Sequence, residues 1–220
     1  MVTRTDKTQY TMRLAFIGIG NVGFAIAHNL EQKGYNVIVA NDKPNSQSVQ
    51  KALAQNPNFK VLPVQEAIEA SEVTFLATPF HVNEDLLKGL DFQGKPLVDC
   101  TNPVGAGISH GLDSKVSGSE KVQEWAPTAH VVKAYTIYGF ENFSNPEYLN
   151  AKERPAMLMA GNDSDAKHKV TSIIEASGFY AKDVGALDQA LHLEHMTLLW
   201  VKMVRRDGHH PYFMWAYLEK

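Results

Sequence analysis

Apolar residues in the first half of the chain come in short runs that alternate with stretches of helical spacing. The runs that predict buried strands lie at residues 13–17, 35–40, 59–63, 72–80 and 95–103. The stretches that predict helices lie between them, at residues 22–33, 50–55, 64–70 and 83–90. The run 72–80 is apolar almost throughout, which is typical of a parallel strand covered on both faces. This alternation predicts an α/β protein with a doubly wound, mainly parallel sheet.

The second half of the chain predicts extra C-terminal strands and a long C-terminal helix. Strands are predicted at residues 130–139, 155–161 and 180–185, and helices at 115–125, 164–177 and 186–206. We expect Ser164 to cap its helix and the aromatic tail 212–218 to pair as a last strand. No repeat or linker interrupts the pattern. We therefore expect one domain over residues 12–220, preceded by a flexible tail at residues 1–11.

Composition and charge narrow the classes of partner. The net charge of -3 gives no case for a nucleic-acid partner or an anionic membrane surface. Cys100 is the single cysteine, which excludes an internal disulfide and fits a reducing compartment. No apolar stretch approaches the roughly 20 residues that span a bilayer, and the polar N-terminus has no signal-peptide core. We therefore expect a cytoplasmic protein that binds neither nucleic acid nor membrane.

The sequence GIGNVG joins the first predicted strand to the first predicted helix. In this setting one glycine permits a tight turn, the next lets the backbone approach a pyrophosphate, and the last lets helix and strand pack closely. The free N–H groups and the positive dipole end of the helix favour an anion. We therefore predict a Rossmann-type site for a dinucleotide, formed by Gly18, Ile19, Gly20, Asn21, Val22 and Gly23.

The end of the second predicted strand bears on the choice between NADP and NAD. Asp42 could be the acid that grips the ribose hydroxyls in an NAD enzyme. Alternatively, Asn41 lies at the tip of the strand, and Asn41, Lys43 and Ser46 receive a 2′-phosphate that a carboxylate would repel. Asn41 directly follows the apolar run, which favours NADP(H) as the cofactor. NAD(H) stays open as the alternative.

Two further strand ends are expected to line the cofactor. Ligands of open parallel sheets bind at the carboxyl ends of strands. The ribose and the nicotinamide are therefore expected beside Ala77, Thr78, Pro79, Asn102 and Pro103. His192 and His195 lie one helical turn apart, but solvent or a partner helix is the commoner environment for such a pair, so no metal is expected.

Five segments of the chain together resemble a known family. They are RLAFIGIGNVGFAIAHNL, VTFLATPF, LVDCTNPV, VVKAYTIYG and DVGALDQALHLEHMTLLWVKM. These segments are similar to the NADPH-dependent reductases of the deazaflavin coenzyme F-420, whose fold also forms the cytosolic domain of transmembrane ferric reductases. The resemblance runs from about Met12 to the C-terminus.

The resemblance implies hydride transfer between NADP(H) and a flavin or deazaflavin acceptor, usually by a homodimer. It implies pyrophosphate binding at residues 18–23, 2′-phosphate binding at residues 41–43, and nicotinamide binding at residues 78–79 and 102–103. Asp42 departs from the family pattern, in which an arginine is common, and YTIYGFENF replaces a less aromatic segment. The acceptor pocket is implied to be lined by Tyr135, Thr136, Ile137 and Tyr138.

Three functions are compatible with these residues. The first is reduction of a flavin-like ring, which needs the nicotinamide held about 3–3.5 Å from the acceptor and little acid–base help. The second is dehydrogenation of a small hydroxy acid or an imine, which needs a proton donor or acceptor. Lys133 and Tyr138 are weak candidates for that group, and the catalytic residue is otherwise unknown. The third is a redox-sensor module that binds NADP(H) without turnover.

Overall fold

A computed structural model describes residues 12–147 and 152–220. The predicted tail 1–11 lies outside the described residues. The strands are β1 Arg13–Ile17, β2 Asn36–Ala40, β3 Lys60–Leu62, β4 Val73–Leu76, β5 Pro96–Asp99, β6 Val104–Gly105, β7 Ser109–His110, β8 His130–Lys133, β9 Ala156–Gly161 and β10 Tyr180–Asp183. The helices are α1 Asn21–Gln32, α2 Gln47–Gln55, α3 Val64–Ala70, α4 Asn83–Leu87, α5 Gly118–Trp125, α6 Ser164–Ala176 and α7 Ala190–Val201.

Eight of the strands form one sheet in the order β10-β9-β8-β5-β4-β1-β2-β3. The strands from β8 to β3 in this order are parallel, β9 is antiparallel to β8, and β10 is parallel to β9. The strands β6 and β7 form a separate hairpin. The predicted α/β class, with a doubly wound and mainly parallel Rossmann-type sheet and extra C-terminal strands, is confirmed.

Apolar side chains are buried on both faces of the sheet, because helices cover both faces. One face packs Phe16 and Phe75, stacked at 4.6 Å, against residues of α1 and α6. The other face packs Ile17, Leu76 and Leu97 against residues of α3 and α5. Because both faces are covered, a ligand can reach the parallel strands at their carboxyl ends, which together form the carboxyl edge of the sheet. The loops that carry the candidate site residues converge at this carboxyl edge.

The long C-terminal helix is confirmed, with an irregular start and end. A 3₁₀ turn, Leu187–Gln189, precedes α7, and a π-helical segment, Lys202–Arg206, continues it. No helix among residues 12–147 and 152–220 has the length and apolar character needed to cross a membrane.

Three local predictions need correction. The strand predicted at 130–139 ends at Lys133, because Tyr135 has a φ of +52°, which a continuous strand cannot hold. The cap of α6 is Asp163 rather than Ser164, and its carboxylate accepts a hydrogen bond from the Ala166 N–H at 2.7 Å. The tail 212–218, all of which is described, forms no strand; the Ala156 N–H donates to the Trp215 carbonyl at 2.8 Å, but no ladder continues from it.

The tail is fastened to the loop that follows β8. The Tyr138 hydroxyl donates to the Ala156 carbonyl at 2.6 Å and accepts from the Trp215 N–H at 3.1 Å. Asn142 donates through its side-chain amide to the Pro211 carbonyl at 3.0 Å. Tyr138 is buried and stacks on Phe179. The Tyr138 side chain therefore has a clear structural role in joining the tail to the sheet.

We expect Tyr138→Phe to lower the free energy of unfolding by about 1–2 kcal/mol, because it leaves buried main-chain groups without their partner. Urea unfolding followed by tryptophan fluorescence measures this change. Tyr217→Phe is the matched control, since the Tyr217 hydroxyl donates to Glu219 on an exposed surface, and its effect should stay within about 0.5 kcal/mol. Equal stabilities of the two variants would contradict the fastening role of Tyr138.

Candidate functional site

The glycine turn between β1 and α1 is shaped by two glycines that no larger residue can replace. Gly18 has a φ of +93°, and a Cβ there would lie 2.7 Å from the Ala77 carbonyl group. A Cβ on Gly23 would lie 2.1 Å from the Gly18 carbonyl oxygen. Because neither glycine carries a Cβ, the turn, the start of α1 and the end of β4 can pack closely, as the sequence pattern predicts.

Gly20 differs from both of these glycines because the space above it is open. A Cβ on Gly20 would meet nothing within 4 Å, and its φ of -74° is ordinary. Gly20 is the N-cap of α1, no side chain caps this helix, and its first turn carries no acidic residue. The exposed N–H groups and the positive helix end are therefore available to an anion. This cradle fits a pyrophosphate, and Ile19, Asn21 and Val22 form the rest of it.

The sequence left open whether Asn41 or Asp42, at the end of β2, determines the choice between NADP and NAD. The two side chains have different hydrogen-bond partners in the structure. The Asn41 side-chain oxygen accepts from the Lys43 N–H at 2.8 Å. The Asp42 carboxylate accepts from the Val64 N–H at 2.9 Å and so caps the first turn of α3. Ser46, at the N-cap of α2, has a buried hydroxyl oxygen that meets no hydrogen-bond partner among residues 12–147 and 152–220. The structure thus engages Asp42 with α3, while the Ser46 hydroxyl is left unsatisfied.

The ends of β4 and β5 are joined by side-chain hydrogen bonds. Thr78 donates through its hydroxyl to the Asn83 side-chain oxygen at 2.5 Å, and the Asn83 amide donates to the Thr101 hydroxyl at 3.3 Å. Thr101 in turn donates to the Asp99 carboxylate at 2.7 Å. The predicted nicotinamide residues, Ala77 to Pro79 and Asn102 to Pro103, therefore belong to one connected edge.

A buried ionic cluster lies directly behind this edge. The Lys133 ammonium lies 3.2 Å from Asp99 Oδ2 and 3.3 Å from Glu194 Oε1, and it donates to the Thr101 carbonyl. Lys133 and Asp99 are fully buried and Glu194 is 1% exposed. Burial alone would lower the pKa of Lys133, but the charges of Asp99 and Glu194 outweigh it and raise that pKa. Lys133 is therefore a buried cation with two hydrogen bonds and two carboxylate partners.

Glu194 also connects α7 to the N-terminus of α5. Its carboxylate accepts from the Gly118 N–H at 2.9 Å and contacts His110 Nε2 at 2.8 Å. His110 Nδ1 accepts from the N–H groups of Leu112 and Ser114, at 3.3 and 3.2 Å, so Nε2 carries the proton that is donated to Glu194. The sequence analysis did not identify His110, Asp99 or Glu194 as site residues. The available signal was that Asp99 and Lys133 each interrupt an apolar run, which requires a buried partner.

The predicted acceptor segment after β8 is buried. Tyr135 packs edge-on against Phe75, and its hydroxyl bonds Ser177 at 2.9 Å; burial raises the pKa of this phenol. Ile137 and Tyr138 are also in the core. Thr136, in the same segment, contacts one of the predicted nicotinamide residues, because its hydroxyl donates to the Asn102 side chain at 2.5 Å.

The remaining residues that the sequence singled out do not join this cluster as reactive groups. His192 and His195 are exposed on α7, and His195 bonds the Ser114 hydroxyl at 2.9 Å. Cys100 is buried beside the edge, and burial together with the charge of Asp99 raises the pKa of its thiol well above the usual value. The Cys100 side chain is therefore a neutral thiol.

A cleft of about 500 Å³ opens beside the glycine turn, within the size range of small-molecule sites. Its walls come from the start of α1, from α2 and from the loop after β8. They include Gly20, Asn21, Phe24, Lys51, Phe140 and Ser144. The cleft thus combines open N–H groups of the turn with two aromatic rings and a cationic side chain.

The sequence of this chain is similar to those of known proteins. Residues 13–103 match the family described as NADP oxidoreductase coenzyme F420-dependent. The chain is 28% identical over 190 residues to metalloreductase STEAP3 of Rattus norvegicus, which is 84% of this chain and 36% of that protein. It is 26% identical over 194 residues to ketol-acid reductoisomerase (NADP(+)) of Petrotoga mobilis, which is 85% of this chain and 53% of that protein. The chain therefore spans about a third to a half of the length of these two relatives.

Solved structures share the fold over most of the chain. A proposed F420-dependent NADP-reductase from Arthrobacter sp. FB24 superposes with a TM-score of 0.78 at 21% identity, covering 94% of this chain and all of that one. A reductive aminase from Aspergillus terreus in complex with NADPH gives a TM-score of 0.62 at 17% identity, covering 89% of this chain and 61% of that one. The resemblance predicted from the sequence is confirmed: over residues 13–103 this chain matches the coenzyme F420-dependent NADP oxidoreductase family.

Proposed function

We propose that the protein is an NADP(H)-dependent oxidoreductase that transfers hydride between the nicotinamide and a flavin-like or deazaflavin ring. The observation that carries this proposal is the uncapped N-terminus of α1 under the open face of Gly20. A doubly negative pyrophosphate is the ligand that such a cradle favours. The family match over residues 13–103 supports the same ligand.

The 2′-phosphate is assigned to the loop between β2 and α2. One oxygen of the Asp42 carboxylate already accepts from the Val64 N–H, which disfavours Asp42 as the group that grips a ribose. Asn41 is neutral, Lys43 is exposed and cationic, and the buried Ser46 hydroxyl has no partner among the described residues. Neutral and cationic donors suit a phosphate, and they support NADP(H) over NAD(H).

The hydride step is assigned to the carboxyl edge of β4 and β5. Bound NADPH would supply the hydride. The residues 77–79, 102 and 103 would orient the nicotinamide, and the buried Thr136, bonded to Asn102, would help to exclude water there. Hydride transfer to a flavin-like ring needs little proton transfer from the protein. This need agrees with the bonding of Lys133 and Tyr138, whose polar groups are committed to structural partners.

The rival functions make different demands on the same edge. Reduction of an imine or of a small keto acid requires a proton donor at the substrate, and the bonded states of Lys133 and Tyr138 do not favour either residue for that role. The structural similarity to a reductive aminase and to imine reductases keeps this chemistry in the test. A sensor module would bind NADP(H) and show no turnover with any acceptor.

We also propose that the protein works as a cytoplasmic homodimer. The helix α7 is largely apolar, Leu199 is 51% exposed on it, and Leu191 and Met196 are only partly buried. Apolar side chains left uncovered on such a helix are typical of an interface between subunits. Light scattering coupled to size-exclusion chromatography measures the state, and Leu199→Glu is the variant expected to shift it to monomer.

We expect Gly20→Ala to weaken NADPH binding about tenfold or more while leaving the folded protein as stable as wild type. The added methyl enters the open space that the pyrophosphate needs, and it meets no atom of the protein within 4 Å. Tryptophan quenching by NADPH measures the first effect and thermal unfolding the second. An affinity equal to that of wild type would contradict the assignment of the pyrophosphate to this turn.

We expect Asn41→Asp to weaken NADPH binding about tenfold or more, which is at least about 1.4 kcal/mol, and to leave NADH binding equal or improved. A carboxylate at the tip of β2 repels a 2′-phosphate and can accept from ribose hydroxyls. Titration of both dinucleotides into both proteins measures the change. Asp42→Asn is the matched control: its amide oxygen can still accept from the Val64 N–H, so stability should stay close to wild type, and loss of the carboxylate should not shift the preference toward NADH.

The choice of acceptor is tested by following NADPH oxidation at 340 nm with a panel of compounds. We expect turnover with flavins or with a 5-deazaflavin, and much slower turnover with cyclic imines and 2-keto acids. Turnover restricted to the imines or keto acids would favour the second function. Tight NADPH binding without turnover of any compound would favour the sensor.

A further inference from the structure

The side chain of Asn102 is held by a pair of threonine hydroxyls that belong to two other elements. Thr136, after β8, donates to Asn102 Oδ1 at 2.5 Å. The Thr197 hydroxyl, on α7, lies 3.0 Å from that of Thr136, and also 2.8 Å from the Thr136 carbonyl. Thr136 is 1% exposed and Thr197 is 6% exposed. The single proton of the Thr197 hydroxyl is shared between the Thr136 carbonyl and the Leu193 carbonyl, the latter at 3.1 Å. Thr197 therefore holds the main chain of Thr136 by a donated bond and lies against its hydroxyl.

The short contact between Thr136 and Asn102 determines which way the amide faces. A separation of 2.5 Å lies in the range of O–H···O bonds and is short for an N–H···O bond. The oxygen of the Asn102 amide thus faces Thr136, and its nitrogen faces away. Among residues 12–147 and 152–220 this nitrogen has no hydrogen-bond partner, and it is not one of the buried unsatisfied atoms. Its two N–H donors are therefore open at the carboxyl edge of β5.

We propose that Thr197 is a positioning residue that acts through Thr136 to hold the Asn102 amide with its N–H donors toward the nicotinamide. This inference rests on the proposed function, because it requires a dinucleotide whose nicotinamide lies at this edge. The oxygen of the nicotinamide carboxamide is the acceptor that the two donors recognise. Because the Asn102 amide is already fixed, it loses no rotational freedom when it binds this oxygen. The hydroxyls of Thr136 and Thr197 therefore affect nicotinamide binding without contacting the nicotinamide.

The same helix turn supports the opposite side of this edge. Glu194, three residues before Thr197, accepts from Lys133 at the end of β8. Within one turn, α7 therefore contacts the main chain after β8 through Thr197 and the end of β8 through Glu194. The orientation of Asn102 is in this way made to depend on the correct docking of the C-terminal helix.

The test compares two ligands that differ only in the nicotinamide. NADPH and 2′-phospho-ADP-ribose share the adenosine, the 2′-phosphate and the pyrophosphate. We expect Thr197→Val to weaken NADPH binding about threefold to tenfold and to leave the affinity for 2′-phospho-ADP-ribose unchanged. Thr197→Ser keeps the hydroxyl and should restore the NADPH affinity. Calorimetric titration of both ligands measures these values.

Asn102→Ala supplies a second, partly exposed position that tests the inference even where Thr197→Val is poorly folded. It should weaken NADPH binding at least as much as Thr197→Val, again with no effect on 2′-phospho-ADP-ribose. The double variant should bind NADPH no more weakly than Asn102→Ala alone, because Thr197 acts through Asn102.

Three results would overturn the inference: equal weakening of both ligands, failure of Thr197→Ser to restore binding, or additive effects in the double variant. Absence of binding of both ligands to the wild-type protein would be a different result. It would reject the proposed dinucleotide site itself, and the assignment of Thr197 with it.

Discussion

The pairing of the buried Lys133 ammonium with Asp99 and Glu194 is the interaction on which the carboxyl edge of the sheet depends. A buried charge is stable only when it is paired and hydrogen-bonded, and removing one partner of such a pair costs about 3–5 kcal/mol. Lys133 meets this condition through Asp99, Glu194 and the Thr101 carbonyl, which belong to β5, α7 and the loop after β5. The strands β5 and β8 and the helices α5 and α7 are therefore held in one arrangement, since Glu194 also binds the first turn of α5.

The candidate site has two parts with different physical character. The first, around the glycine turn, is built from backbone and from the absence of side chains, because Gly18 and Gly23 allow close contact and Gly20 leaves space. The second, at the ends of β4 and β5, is built from side chains that satisfy one another, from Thr78 through Asn83 and Thr101 to Asp99. The first offers backbone donors to an anion, and the second is a rigid, hydrogen-bonded surface.

Most of the fold could be predicted from the sequence because it is encoded locally. The strand β1 and the helix α3 have the predicted bounds, and the alternation of apolar runs with helical stretches gives the parallel sheet. The apolar segment after β8 was predicted as a continued strand, since periodicity does not distinguish a buried strand from a buried loop. The positive φ of Tyr135 makes the difference, and a tyrosine gives no sequence signal for it. The ionic cluster was missed for another reason: Lys133 and Asp99 are 34 residues apart, and His110 and Glu194 are 84 apart.

Two of the helix N-termini at the carboxyl ends of the parallel strands, those of α1 and α5, differ in the charge that they already hold. The first turn of α5 already holds a carboxylate, that of Glu194, whereas the first turn of α1 holds no acidic side chain. An incoming anion would be repelled at α5 and attracted at α1, although both helices offer the same kind of backbone donors. The Glu194 carboxylate thus makes the N-terminus of α5 less favourable for an anion than that of α1. An elongated ligand with one charged part and one neutral ring therefore has a preferred orientation along the carboxyl edge.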